Sequence, residues 1–421
     1  MGLKDYKINL LLLGLVFLFT ACQKPEELLI SLLKNQYANL YVNNEPHKRE
    51  VIQQLETYFK THSLSSENEH DISLFLNQIN DGHVHLKNKL AAPSKHSDLK
   101  MVPGTFFIKE CENSCIPKIP EGKYEILEVD GMPFSRWLSL NEREVYASSP
   151  WGRRFRTSRL LTSNKLLNHY SLKYKNTKGV VFSSQVISQL IDRSIDKCVE
   201  GKRLNPKTFQ IIIKTLWCDN NRLDLTKNFI SEWDKMAERI SAQDKIIIDL
   251  RENNGGDDKE LMYALNAFIK NAAPIYHYQY LNVNQPGKLE KIMHLLPFKF
   301  KLWGPKGIDY IDTSLKPKHT FYENKLSVLI SAGCFSSCEG LAAGFKNLTR
   351  AKLWGTKTHG GAGEPVFFDI PKTTYSINLP TCVTWQGNKE LIEGIGVSPH
   401  QTFEDSLNLP GDALLSAAIN D

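Results

Sequence analysis

Apolar positions recur at helical spacing through residues 26–80. Leu28, Leu29, Leu32, Leu33 and Tyr37 make one stripe, and Val51, Ile52, Leu55 and Phe59 make another, with Pro46 at a helix start between them. A third, shorter helix is expected over Ile72–Ile79, running into "NDGHVHL". From about 96 to 205 the rhythm shifts to short runs with strand character: "GTFFIKE", "KYEILEVDG", "YSLKYKN" and "GVVFSSQVI". The Asp-Gly pair in "VDGMPF" is the turn chemistry of a hairpin. From 206 to 400 strands alternate with helices. "FQIIIKTLWC" precedes an amphipathic stretch from Leu225 to Ile240, and "KIIIDL" breaks at "RENNGGDD" before a helix from about Lys259 to Lys270. "KLSVLIS" then leads through a serine turn into another helix. Unbroken Ile/Val runs joined through helices predict strands buried on both faces, hence an α/β core. The pattern divides the mature chain into a helical region (22–95), a small β-rich module (96–205) and an α/β core (206–421). An aromatic-rich insertion at 272–320, with Tyr276, Tyr278, Tyr280, Phe298, Phe300 and Trp303, reads either as the wall of a cleft or as core.

Residues 1–21 stand apart from this pattern. Lys4 and Lys7 precede an apolar run from Ile8 to Phe19, which ends in Thr20-Ala21-Cys22. The run is short for a membrane span and ends in small residues, as an export signal does. "FTAC" resembles a bacterial lipobox, which implies a lipid on Cys22 and an exported, membrane-anchored protein; a plain cleaved signal is the other reading. Export makes the remaining cysteines candidates for disulfides. Cys111–Cys115 and Cys198–Cys218 are the expected bridges, whereas Cys334 and Cys338, one helical turn apart, are expected to stay free. Their spacings match no common zinc pattern.

Composition adds little beyond this. The 421 residues are 41% hydrophobic and 23% charged, with a net charge of +6 and no Lys/Arg block interleaved with aromatics, so no nucleic-acid partner is expected.

Four short segments carry candidate chemistry. In "SAGCFSSCEGLAAGF" a strand gives way to a helix near Ser336, where free backbone N–H groups and the helix dipole could stabilise an oxyanion; a serine there equally serves as a plain helix cap. In "IIIDLRENNGG" a buried strand ends at Gly255-Gly256, whose amides lie where α/β sheets bind ligands, while Asp249 and Arg251 read as a structural ion pair. In "NDGHVHL", His83 and His85 point the same way on an extended segment, which suits a catalytic base or, with Asp81, a metal. In "LIEGIGVSPH", Glu393 could orient an imidazole.

Taken together, "IIIDLRENNGG", "VLISAGCFSSCEGLAAGF", "LWGTKTHGGAGEP" and "IEGIGVSPH" resemble the tail-specific, or C-terminal processing, serine protease family. The resemblance covers about 206–400, extends upstream to "NDGHVHL", and gives the β-rich module the look of a degenerate PDZ-type insert. It implies a crotonase-like α/β protease core, a polypeptide substrate, no cofactor and no metal. It also implies Ser336 as nucleophile, with oxyanion amides from Gly255 or Gly256 and from Ser337. Where many members place a lysine, this chain has Gly361, and Lys357 falls before the matching glycines. The branch that includes the tricorn core and the chlamydial protease-like activity factor uses an upstream histidine and a late glutamate, positions held here by His83 and Glu393. The expectation is an exported serine endopeptidase with a Ser336–His83–Glu393 triad, homo-oligomerisation staying open. The rival from another class is a non-catalytic carrier of apolar ligands or peptides on the same fold.

Overall fold

The computed structural model describes residues 24–42, 46–90, 115–116, 124–162, 169–176, 178–187, 197–218, 225–270, 273–282, 307–315, 322–347, 350–403 and 412–421. The signal segment with Cys22, and Cys111 of the expected Cys111–Cys115 bridge, lie outside them.

The N-terminal region is helical: α1 (Pro25–Gln36), α2 (Asn39–Val42), α3 (Pro46–Tyr58) and α4 (Glu69–Asn77), followed by strand β1 (His85–Asn88). Helix α1 starts on Pro25, carries Glu26 and Glu27 in its first turn and Lys34 in its last, in keeping with the helix dipole. The two predicted stripes face each other. Leu29, Leu33 and Tyr37 meet Val51, Ile52 and Leu55 in one apolar cluster.

Next comes a five-stranded sheet in the order β2-β6-β5-β3-β4, formed by β2 (Cys115–Ile116), β3 (Tyr124–Val129), β4 (Met132–Pro133), β5 (His169–Asn176) and β6 (Val181–Ile187), with helices α5 (Phe134–Asn141) and α6 (Pro150–Arg159). The Asp-Gly turn joins β3 to β4, and both residues take positive φ (50° at Asp130, 76° at Gly131), as a two-residue hairpin loop requires.

The core is built on a six-stranded sheet in the order β17-β13-β12-β9-β8-β7. Its strands are β7 (Val199–Asn205), β8 (Thr208–Ile213), β9 (Lys245–Asp249), β12 (Leu326–Ile330), β13 (Ala351–Gly355) and β17 (Gln401–Thr402). Adjacent strands from β8 to β17 pair in parallel, and β7 pairs antiparallel with β8. Strand β7 falls before the boundary drawn at 206, so the core sheet begins at Val199. Helices α7 (Leu225–Ala237), α8 (Asp258–Asn266) and α9 (Ser337–Asn347) cover one face, where Ile246, Ile248, Val328 and Ile330 are buried. The last helix, α10 (Ala413–Asn420), covers Ile247 and Leu329 on the other. Burial of alternate residues on opposite faces is why β9 and β12 read as unbroken apolar runs.

The predicted insertion contributes strands β10 (Ala273–Asn282) and β11 (Gly307–Leu315), which form a sheet with β16 (Cys382–Gln386) in the order β11-β10-β16. A third small sheet, β1-β15-β14, uses β14 (Pro365–Asp369) and β15 (Tyr375–Pro380) to tie the N-terminal region to the core.

Cys198 and Cys218 form the expected bridge. The expectation of free thiols at Cys334 and Cys338 is overturned: they too are disulfide-bonded, with Cα atoms 5.3 Å apart. Cys334 precedes the helix, which begins only at Ser337, so the two are not a regular helical pair, and their separation falls in the normal disulfide range. Asp249 and Arg251 form the expected ion pair, and Asp412 at the start of α10 joins it (Arg251 Nη2–Asp249 Oδ2 2.6 Å, Arg251 Nη2–Asp412 Oδ2 2.7 Å).

Candidate active site

Ser336 sits between β12 and α9 with φ at 59°, a left-handed conformation that residues with a Cβ rarely adopt. Its backbone is held on both sides. Its N–H donates to the Gly361 carbonyl (2.9 Å), and its own carbonyl accepts from Glu339 N–H (2.8 Å). The side chain faces His83, whose Nε2 lies 3.1 Å from Ser336 Oγ across 253 residues of sequence.

His83 leaves a tight turn after α4. Asp81 accepts the His83 N–H (2.9 Å) and also receives Tyr37 Oη (2.9 Å) and Asn39 Nδ2 (2.7 Å). The Phe335 ring stacks on the imidazole with centroids 4.4 Å apart, and the Arg156 guanidinium lies 4.4 Å from the centre of that ring. Burial lowers the His83 pKa to about 4. Asp81 opposes the shift, while Arg156 and His85 add to it. The imidazole is therefore neutral at physiological pH, and its Nδ1 is buried without a hydrogen-bond partner among the described residues. His85 turns away and stacks on Tyr146 (4.6 Å).

Glu393 is also buried and accepts the Ala362 N–H (3.2 Å). Burial pushes its carboxyl well above the usual range; Asp81 and Glu339 push the same way and Lys48 opposes them. Lys357 is exposed, its ammonium over the Trp151 ring rather than toward the serine.

The glycine turn after β9 closes against the nucleophile. A Cβ on Gly255 would lie 2.8 Å from Ser336 Cβ and 3.0 Å from Ser337 N. Gly255 is nonetheless not a free donor, because its N–H is committed to Asn253 Oδ1 (2.8 Å). Its place in the expected oxyanion set is corrected on that ground. Leu216 hydrogen-bonds the backbone groups flanking Gly256, leaving the Gly256 N–H outside that bridge, and Ser337 Oγ donates to the Gly256 carbonyl (2.8 Å). The Ser337 N–H, first in α9, is one of the donors a helix start cannot satisfy internally.

Several contributors escaped the sequence reading. Glu339 is fully buried and accepts Thr358 Oγ1 (2.6 Å), Gly360 N–H (3.0 Å) and Gly361 N–H (2.7 Å), although burial still raises its pKa to about 7. It thereby fixes the loop whose Gly361 carbonyl holds Ser336. Its position in "SSCE" was the available signal. Ser148, whose Oγ accepts the Gly82 N–H (2.8 Å), and Arg156 lie in the β-rich module and left no motif.

An α/β core that presents a serine on a strained turn to a neutral imidazole, beside unpaired amides, defines a serine-type hydrolase. Residues 218–403 match the model of peptidase family S41, and through this core the chain is a member of that family, a serine peptidase. In fold it is similar to mature CPAF complexed with lactacystin (TM-score 0.66, 16% identity, 90% of this chain and 92% of that one) and to mature CPAF without that compound (TM-score 0.67, 16% identity, 90% and 91%). It is also similar to the photosystem II D1 C-terminal processing protease (TM-score 0.51, 14% identity, 91% and 94%). No curated protein matches the sequence.

Proposed function

We propose that this serine peptidase is an exported endopeptidase that cleaves polypeptides through Ser336, His83 and Glu393. The observation that carries the reading is the 3.1 Å contact between His83 Nε2 and Ser336 Oγ. Ser336 Oγ attacks the scissile carbonyl carbon while its proton passes to His83 Nε2. The oxyanion is met by the N–H groups of Gly256 and Ser337. Collapse expels the amine, which takes the proton back from His83, and water hydrolyses the acyl-enzyme by the same route. Glu393 orients the base through an intervening group, since His83 Nδ1 carries no direct bond to it. A base that stays neutral well below pH 7 supports this assignment over a lysine dyad.

The apolar run ending in "FTAC" supports a lipid on Cys22 and attachment to a membrane surface. No helix among the described residues is long and apolar enough to cross a membrane. One preparation tests both parts: the full chain, recovered from membranes and treated with a fluorophosphonate probe. It should label at Ser336 and begin at an acylated Cys22. Ser336→Ala should lose the label, and His83→Ala should slow labelling by about 10³-fold or more, because the pair acts as a unit. Unaltered labelling in His83→Ala removes the histidine from the mechanism, and an unmodified N-terminus beyond residue 22 removes the anchor.

A further inference from the structure

Sulfur brackets the nucleophile. The disulfide between Cys334 and Cys338 closes a ring around Phe335, Ser336 and Ser337, and both cysteines are fully buried. Each enclosed residue carries a different part of the proposed chemistry. Phe335 stacks on His83, Ser336 carries the attacking oxygen, and Ser337 offers an amide to the oxyanion. The ring also contains the left-handed backbone of Ser336. Residues with a side chain leave that conformation unless their surroundings hold them there. The non-covalent restraints are few: Phe335 N–H to Asn253 O (3.1 Å), Ser336 N–H to Gly361 O (2.9 Å) and Cys338 N–H to Phe335 O (3.2 Å). The cysteines are themselves anchored. Cys334 accepts the His359 N–H (2.9 Å), and Cys338 Sγ lies 3.7 Å from the Leu250 carbonyl.

On the reading that Ser336 is the nucleophile, we propose that the Cys334–Cys338 disulfide is a positioning clamp, which fixes the serine turn in its reactive geometry and is required for full turnover. The clamp forms when the two thiols give up two protons and two electrons to a disulfide-bearing oxidant, which leaves as its dithiol. Because both sulfurs are buried, thiolates reach the bond only when the turn opens, so the clamp is set during folding rather than toggled in the native protein. A ring this small removes little freedom from the rest of the unfolded chain. Its effect is therefore concentrated on the serine, and turnover registers its loss more strongly than melting does.

The test compares the full chain with C334A/C338A and S336A by fluorophosphonate labelling rate, peptide hydrolysis and circular-dichroism melting. The expected result for C334A/C338A is a folded protein whose labelling rate and kcat fall about 10- to 100-fold, the scale of a small misplacement of reacting groups, with KM changed far less. A purely structural disulfide would leave the labelling rate of the folded protein unchanged. If S336A loses the label while C334A/C338A labels at the native rate, the clamp is wrong and the nucleophile stands; if S336A still labels, the nucleophile assignment itself fails. Peptide mapping of the active native chain without reduction covers the case in which the double variant does not fold. The two cysteines should be found bridged, and alkylation of both in fully active enzyme overturns the proposal.

Discussion

Burial decides the protonation of His83, and with it the pH range in which the site can work. Removing water from the imidazole disfavours its charged form, and Arg156 and His85 add to this, while Asp81 compensates only in part. A general base must be neutral to accept the Ser336 proton. Activity should therefore persist as pH falls and drop only as His83 becomes protonated, near pH 4 rather than near the ordinary histidine value of about 6.5. The measurement is kcat/KM against pH, which reports the free enzyme. An acid limb centred at 6.5 or above would show that the imidazole is solvated or paired with an ionised carboxylate. The same depression carries a stability cost of known sign. Between about pH 4 and 6.5 the unfolded chain binds a proton at His83 that the folded chain does not, so this residue favours folding less as pH falls through that window. Glu393→Gln should cost less than His83→Ala, since the carboxyl transfers no proton in the scheme.

At the scale of elements, the loop after β13 is the hub of the site, and its glycines explain why no lysine stands there. A Cβ on Gly361 would lie 2.3 Å from Ser148 Oγ and 2.4 Å from Phe335 Cε2. The space an amine would need is filled by the ring that stacks on His83. Gly361→Ala should displace Phe335 or Ser148, destabilise the fold by about 1–3 kcal/mol as overpacking does, and slow phosphonate labelling through the shifted Ser336 partner. Gly361→Lys should not restore a dyad. Melting curves and labelling rates check both, and native-rate labelling in Gly361→Ala would count against this account. These contacts also mark how far the sequence could be read. The stripes of α1 and α3, the doubly buried strands and the Asp-Gly turn were legible because each depends on local periodicity or a local φ requirement. His83 and Ser336 were legible only through motif resemblance, since nothing local reveals a contact across 253 residues. The bridge at Cys334 was misread because the start of α9 at Ser337, not cysteine spacing, sets the distance between the thiols. Glu339, Ser148 and Arg156 act through the backbone of other segments, and such partnerships leave no pattern along the chain.

For the whole molecule, the decisive joint lies between the N-terminal region and the core. The S41 segment, 218–403, supplies the serine, the glycine turn and Glu393, but His83 comes from outside it. The imidazole is brought in by β1, which begins two residues later and pairs antiparallel with β15 (His85 with Asn378, Leu86 with Ile377). Behind that pairing, Leu29, Leu33, Tyr37 and Leu55 share one apolar cluster with Tyr375, Ile377 and Leu379. The six-stranded sheet buries its own separate cluster and does not depend on these contacts. Loosening the joint should thus withdraw the base while leaving the nucleophile's scaffold folded. Leu33 is fully buried in the joint, and Leu33→Ala should weaken it by about 2–5 kcal/mol. Hydrogen exchange resolved by segment is the measurement, taken alongside turnover. Amides of α1, α3 and β1 should exchange faster in the variant while those of β9 and β12 keep their protection, and kcat should fall with the fraction opened. Equal loss of protection in both regions would mean that the helical region and the core unfold as one unit, and the base would then owe its position to global stability rather than to this joint.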